Sequence, residues 1–277
     1  MSSRTFSISS ISCLALALAG SLWAAEPARD NPLVASESWD LIRDDLVGDV
    51  ELLDGEDVFD LGAPYRAADA ATVPITLRQT NDTAGPIEMV RLVIDENPAP
   101  LAADISFGPA MQPLDFEMRV RVNQYSNVRA IAETPDGHFM TGRFVKASGG
   151  CSAPASKSPE EALAGMGEMR LRLFGVTKSP QVSKPRQEAQ IMIRHPNYSG
   201  LQRDQITQLF IGAHFLDRIE VLQGDERLFL MEGGISISEN PVFRFNYADN
   251  GAESLRIIAH DTEGNTFEKT LPKVSPS

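Results

Sequence analysis

Past its N-terminal region this chain has one cysteine, Cys151, in the stretch "VKASGGCSAPAS" from Val145 to Ser156. A thiolate is a good nucleophile, and a free cysteine titrates at a pKa of about 8.5 unless neighbours shift it. Lys146 and Lys157 are the nearest cations in sequence. Gly149 and Gly150 before the cysteine and Ser152 after it read as a flexible arm, because glycine-rich coils extend roughly 5–6 Å × √n. No apolar regular element flanks the thiol, so an exposed sulfur is expected. Reach of this kind suits a group that carries a covalent cargo to enzymes. It does not suit a catalytic nucleophile, which must be held beside a base.

Other reactive constellations are not visible. His138, His195, His214 and His260 are scattered. A blue-copper site wants two histidines, a cysteine and a weak axial ligand, and the first histidine after Cys151 is His195, beyond a whole linker. "IRHP" and "GAHF" read as strand-end structure or as contacts between two domains. Phosphate-binding glycine loops, nucleophile elbows and HExxH pairs are missing, and the carboxylates form no acid/base pair. The expectation is no metal, no cofactor and no enzymatic activity.

Charge and the first residues narrow the setting. The 277 residues include 38 acidic and 25 basic side chains, a formal net charge of −13. The acidity is concentrated in one part: Glu26–Gly150 holds 22 acidic and 10 basic residues, Cys151–Ser277 holds 16 and 14. Such a surface repels phosphate backbones, which makes nucleic acid a poor partner. "MSSRTFSISSISCLALALAGSLWAA" places Arg4 before an apolar core and small residues, the pattern of a secretory signal peptide over 1–25. A periplasmic location is expected. Export favours disulfides, yet with Cys13 removed the mature chain cannot form an internal one. Its cysteine is a free reactive thiol or an intermolecular partner.

The elements that must position Cys151 are mostly strands. "SESWDLIRDDLVGD" is an amphipathic helix with Ser36 or Ser38 as cap and Gly48 as stop. Short period-two runs follow, among them "TVPITLRQT", "IEMVRLVID", "AADISFG", "DFEMRVRVN", "NVRAIAET" and "HFMTGRFVKA", separated by turn signals. Arg119 and Arg121 alternate with Met118 and Val120 and read as a solvated strand face. A break from Ala147 to Gly167 contains the capped helix signal "SPEEALAG". A second set of strands runs from "EMRLRLFGV" to "TFEKTL", with hairpin connections in "LQGDERLF" and "DTEGNTF". The expected fold is all-β: two immunoglobulin-like antiparallel β-sandwich domains over 26–150 and 168–277, joined by a linker over 151–167, with a short N-terminal helix. Each half is large enough for its own core. Glu-Asn-Pro occurs in both halves, at Glu96–Pro98 and Glu239–Pro241.

These residues resemble a known pair of families. "VPITLRQT", "VIDENPAPLAADISFGP" and "FVKASGGC" are similar to SoxY, the thiol carrier of periplasmic sulfur oxidation. "IMIRHPNYSGL", "GAHFLDRIEVLQGDE" and "GISISENPVFRFNY" are similar to SoxZ, its β-sandwich partner. The arrangement resembles fused SoxYZ-like carriers that accompany quinoprotein dehydrogenases. The resemblance implies that Cys151 holds a covalently bound, sulfur-containing intermediate, with Gly149, Gly150 and Ser152 as its arm. It implies a non-catalytic protein with an extensive interface between its halves. Implied partners are periplasmic enzymes that load or process the adduct, including a PQQ-dependent dehydrogenase or a c-type cytochrome. The other function considered is a docking module for such a dehydrogenase or cytochrome, without covalent cargo. Ser152 and Ala153 stand where the SoxY motif continues with glycines.

Overall fold

A computed structural model of the protein describes residues 31–155, 159–177 and 186–273. The signal-peptide segment, Cys13, Lys157 and Ser158 lie outside the described residues. The chain opens with helix α1 (Glu37–Val47). The Ser36 side chain accepts from the Trp39 N–H at 3.1 Å, and Gly48 ends the helix at φ 64°. The helix buries Trp39 against Val93 and Ile131, and the Arg129 guanidinium lies 4.5 Å from the Trp39 ring centroid.

Eight strands make the first half: β1 (Leu52–Asp54), β2 (Phe59–Gly62), β3 (Val73–Gln79), β4 (Met89–Ile94), β5 (Leu101–Phe107), β6 (Asp115–Val120), β7 (Ser126–Thr134) and β8 (Gly137–Val145). A short helix, α2 (Pro159–Leu163), precedes the second half. That half contains β9 (Met169–Thr177), β10 (Arg186–Ile193), β11 (Leu216–Gln223), β12 (Glu226–Gly233), β13 (Val242–Ala248), β14 (Ser254–Asp261) and β15 (Thr266–Pro272). The fold is all-β with a short helix near the N-terminus, as the period-two runs predict. The second set of period-two runs includes "ISISEN" and "QLFIGAHF", which are loops with isolated bridges rather than strands. β1 and β2 have no counterpart in the sequence reading.

The sheets do not stop at the boundary between the halves. One has nine strands in the order β1-β8-β7-β4-β5-β12-β11-β14-β15, the other six in the order β2-β3-β6-β13-β10-β9. In the larger sheet β5 of the first half pairs with β12 of the second, from Ala103–Gly233 to Phe107–Phe229. In the smaller sheet β6 pairs with β13, Phe116 opposite Phe245 and Glu117 opposite Arg244. Each half is thus a two-layered sandwich, and both layers continue edge to edge into the other half. Strands whose backbone N–H and C=O groups would otherwise lie open on a sheet edge are paired.

The cores merge as well. A single cluster of buried apolar side chains runs from Val58 to Ala259. At the join, Phe116 packs edge-on against Phe107 and Phe229, with centroids at 5.3 and 5.2 Å. Phe229 meets Phe245 at 5.3 Å. Gly108 donates its N–H to the Leu228 carbonyl at 2.7 Å, and a Cβ there would overlap the Arg227 carbonyl. Only glycine permits the two backbones to approach so closely. The described residues from Asn31 onward form one compact unit. Two cores large enough to stand alone on size have become one because both sheets share strand edges. No helix among the described residues is long and apolar enough to cross a membrane.

Candidate functional site: a thiol seated at the join

After β8 the chain stays tied to the first half. Lys146 donates its N–H to the Tyr65 carbonyl at 2.8 Å, Gly149 to Asn123 at 2.8 Å and Gly150 to Val122 at 3.1 Å. Gly149 has φ 78°, a left-handed conformation that glycine adopts without cost. Gly150 is buried, and a Cβ there would overlap the Ala70 carbonyl and lie 2.7 Å from the Val122 oxygen. Ser152 closes a turn, donating its N–H to the Gly149 carbonyl at 3.2 Å. The glycines expected to make an arm are here used for close packing. Their small size lets the segment lie flat against the extension of β6.

Cys151 is fully buried, which corrects the expectation of an exposed sulfur. The cover that its sequence neighbours lack comes from the fold. The second half completes the seat. Ser199 Oγ donates to the Cys151 carbonyl, and Gln202 Nε2 donates to the Ala153 carbonyl at 2.9 Å. Gln202 Oε1 in turn accepts from the Ser199 N–H at 3.1 Å. The cysteine segment is therefore clasped between the loop after β6 and the loop after β10.

The charge beside the thiol comes from a residue the sequence reading placed elsewhere. Arg121 does not lie on a solvated face; it is 1 % exposed. Beyond the end of β6 the strand alternation lapses, and Arg121 turns inward to donate from Nη1 to the Ile235 and Ile237 carbonyls. Its Nε is buried with no hydrogen-bond partner among the described residues. Asn97 fixes the backbone around it, donating to the Arg121 carbonyl at 2.8 Å and to Ser236 Oγ at 2.8 Å. Its Oδ1 accepts from the Asn123 N–H at 2.8 Å. Burial raises the Cys151 pKa to about 11, with the Arg121 charge pulling the other way. Burial likewise pushes the Arg121 pKa below its ordinary value. At neutral pH the seated sulfur is a protonated thiol, a poor nucleophile in this position. Lys146 turns to the Tyr65 ring, its Nζ 4.7 Å from the centroid.

The loop after β10 has two further features. Its tip exposes Ile206, Leu209 and Phe210 at 91, 69 and 62 %. At its root His195 is fully buried and meets His214 and Asp261, three residues far apart in sequence whose candidate ligand atoms lie within 4.8 Å of one another. His214 Nε2 is 2.8 Å and His195 Nε2 3.4 Å from Asp261 Oδ2. Burial depresses the His195 pKa. Burial favours the neutral Asp261 carboxyl, but bonds from Asn265 and both histidines prevail and bring it to about 2. The sequence reading of scattered histidines missed this convergence; the only signals were that "IRHP", "GAHF" and "AHD" each sit at a strand end. His138 and His260 stand apart from it.

Comparison with known proteins finds two families in tandem along the chain. Residues 43–151 match the family described as Sulfur oxidation protein SoxY, and residues 178–272 match Sulphur oxidation protein SoxZ. The sulfur carrier protein SoxY from Chlorobium limicola f thiosulfatophilum is 21 % identical, with a TM-score of 0.33 over 39 % of this chain and 89 % of that one. A biofilm-associated protein BSP domain is 8 % identical, with a TM-score of 0.25 over 79 % of this chain and 30 % of that one. No curated protein matches the chain.

Proposed function

For a chain that belongs to both the SoxY and SoxZ families as a fused SoxYZ-like protein, we propose that Cys151 carries a sulfur-containing intermediate and that the clasp at the join alternately shelters and presents it. The families are non-catalytic carriers and adaptors of sulfur oxidation, and this chain is no enzyme. The observation that carries the reading is Arg121: a buried guanidinium whose Nε has no hydrogen-bond partner among the described residues acts on Cys151, the one cysteine among them. Burying a cation with an unused donor is costly. An anionic sulfur group on Cys151 would offset that cost through a charge-assisted hydrogen bond.

Presentation requires the segment to leave its seat, which breaks the Ser199 and Gln202 bonds and frees Gly149 and Gly150 to act as the arm. Both ends of the segment remain attached, so the thiol reaches a partner as a loop. Joining it to an anionic sulfur species through a sulfur–sulfur bond releases the thiol proton and two electrons. The electrons pass to a partner, for which a c-type cytochrome is the candidate class. The apolar tip at Ile206, Leu209 and Phe210 stands beside the clasp and supports docking of such a partner there. The signal-like first 25 residues favour a periplasmic setting. The resemblance to carriers that accompany quinoprotein dehydrogenases makes a PQQ-dependent dehydrogenase a second partner to test.

Intact-mass and peptide spectra of protein purified from its native host without reductant test the proposal. A discrete adduct on Cys151 that reductant removes is expected, with its mass identifying the sulfur species. A bare thiol under every growth condition refutes carriage and leaves docking without cargo as the function.

A further inference from the structure

The convergence of His195, His214 and Asp261 carries an inference separate from the thiol. His195 Nδ1 lies 2.8 Å from Asn197 Oδ1. The orientation of that amide is set by two other bonds: Asn197 Nδ2 donates to the Ser238 carbonyl at 3.0 Å, and Oδ1 accepts from the Leu216 N–H at 3.0 Å. An oxygen therefore faces Nδ1. The Asn197 N–H donates to Nδ1 at 3.1 Å in the metal-free ring, while Asn197 Oδ1 stands beside Nδ1 as an acceptor for a proton placed there. Without metal, Nε2 carries the proton and donates to Asp261; ligation through Nε2 would move the proton to Nδ1, where Asn197 Oδ1 accepts it. In that ligating tautomer the Nε2 lone pair is directed at Asp261 Oδ2, 3.4 Å away.

A lone pair and a carboxylate that face each other in a buried site are the arrangement a bound cation would select, and three candidate ligand atoms converge here within 4.8 Å. The remaining contacts present Oδ2 to such a cation. Asp261 Oδ1 accepts from the Glu263 and Asn265 N–H groups at 3.0 and 2.8 Å, and Asn265 Nδ2 holds Oδ2 at 2.9 Å. Outer hydrogen bonds of this kind orient the ligands of metal sites: a histidine donates its far N–H to an oxygen, and the ligating carboxylate is itself hydrogen-bonded. The His214 ring stands edge-on to His195, with centroids 4.9 Å apart. Its side chain is 15 % exposed, which leaves room for the small ring movement that opens a metal-sized gap. Ligands about 2.0–2.2 Å from a tetrahedral zinc ion stand roughly 3.3–3.5 Å from one another, within the span seen here.

We propose that His195 Nε2, His214 Nε2 and Asp261 Oδ2 bind one divalent transition-metal ion of the zinc class, with a fourth position open beside His214. Two imidazoles and one carboxylate suit zinc better than calcium or magnesium, which take oxygen ligands. The site would join three segments of the second half: the root of the clasp loop, the start of β11 and the turn between β14 and β15.

The test uses the mature chain with Cys151→Ser, so that the thiol cannot bind metal. After chelator treatment and dialysis, zinc is titrated against a chromophoric competitor and melting is followed with and without zinc. One equivalent is expected to bind with Kd of about 1 µM or tighter and to raise the melting midpoint. His214→Ala, at a partly exposed ring, and Asp261→Asn should each weaken binding at least about 30-fold, since loss of even an outer-shell partner costs about 10–100-fold. Unchanged metal-free melting of His214→Ala shows that any lost affinity is local. No saturable binding up to about 100 µM zinc, or binding that His214→Ala and Asp261→Asn leave unchanged, overturns the proposal. In that event the cation between His195 and Asp261 is a proton.

Discussion

Release of the clasp should control the reactivity of Cys151 in a calculable way. A thiol with pKa about 11 is ionised at pH 7.5 to roughly 3 parts in 10,000, against about 1 in 10 for an ordinary exposed cysteine of pKa about 8.5. Ionisation alone slows alkylation about 300-fold. A more basic thiolate is intrinsically more nucleophilic, with a Brønsted slope of about 0.4–0.5, which returns roughly 13-fold. The native protein should therefore react with iodoacetamide at least about 20-fold more slowly than a urea-unfolded control at the same pH, and exclusion of reagent slows it further. The double substitution Ser199→Ala, Gln202→Ala removes the two side-chain bonds that hold the Cys151 and Ala153 carbonyls. At about 1 kcal/mol net per bond, the open population rises about 30-fold and the reaction accelerates with it. Quenched-flow alkylation read by mass spectrometry measures both ratios. Native protein reacting within about threefold of the unfolded control, or a double variant no faster than wild type with melting unchanged, refutes the seated, protonated thiol.

Other outcomes follow from the same geometry. Gly150→Ala, whose Cβ would overlap the Ala70 carbonyl, should cost about 1–3 kcal/mol in urea unfolding and speed alkylation of Cys151. Because the seated thiol has a raised pKa, its contribution to stability is complete below about pH 8.5 and falls as pH rises towards 11. The urea midpoint should decline as pH rises from about 8.5 towards 11, and Cys151→Ser should flatten that decline. A protease site engineered at residues 156–158 and then cut should leave the halves together on gel filtration, since β5–β12 and β6–β13 still pair; fragments that elute separately contradict the shared sheets. Arg121→Met should remove retention of an anionic adduct while leaving a neutral alkyl label on Cys151 equally stable, measured by the half-life of each modified protein.

Strand periodicity made the sandwich layers legible, because one face of each strand is buried and the other is not. β3 alternates buried and outward residues from Val73 to Gln79, the pattern that "VPITLRQ" announces. The seat of Cys151 was illegible for a different reason. The segment is held by Ala70 and Val122 against Gly150 and by Ser199 and Gln202 on the Cys151 and Ala153 carbonyls, all far from it in sequence, and glycines serve a flexible coil and a tight backbone contact equally well. Arg121 misled because it continues the alternation of β6 by one residue past the strand's end at Val120. The recurrent Glu-Asn-Pro, close to a chance match as a tripeptide, has a physical use in both halves. Asn97 anchors the segment from Arg121 to Asn123. Asn240 accepts from the His195 N–H at 3.2 Å and donates its own N–H to the His195 carbonyl at 2.9 Å.

The shared sheets set an order of events during synthesis and folding. The first half emerges first, with β5 and β6 as open edges and Phe107 and Phe116 lacking their partners Phe229 and Phe245. At that stage Ser199 and Gln202 have not been made, so the thiol has no clasp. Until Ser199 and Gln202 have followed, the sulfur is open to oxidation or premature modification, and until β12 and β13 have followed the two edges are open to pairing with other chains. Placing both families on one polypeptide ensures that the partner which ends this vulnerable interval is always the next to arrive.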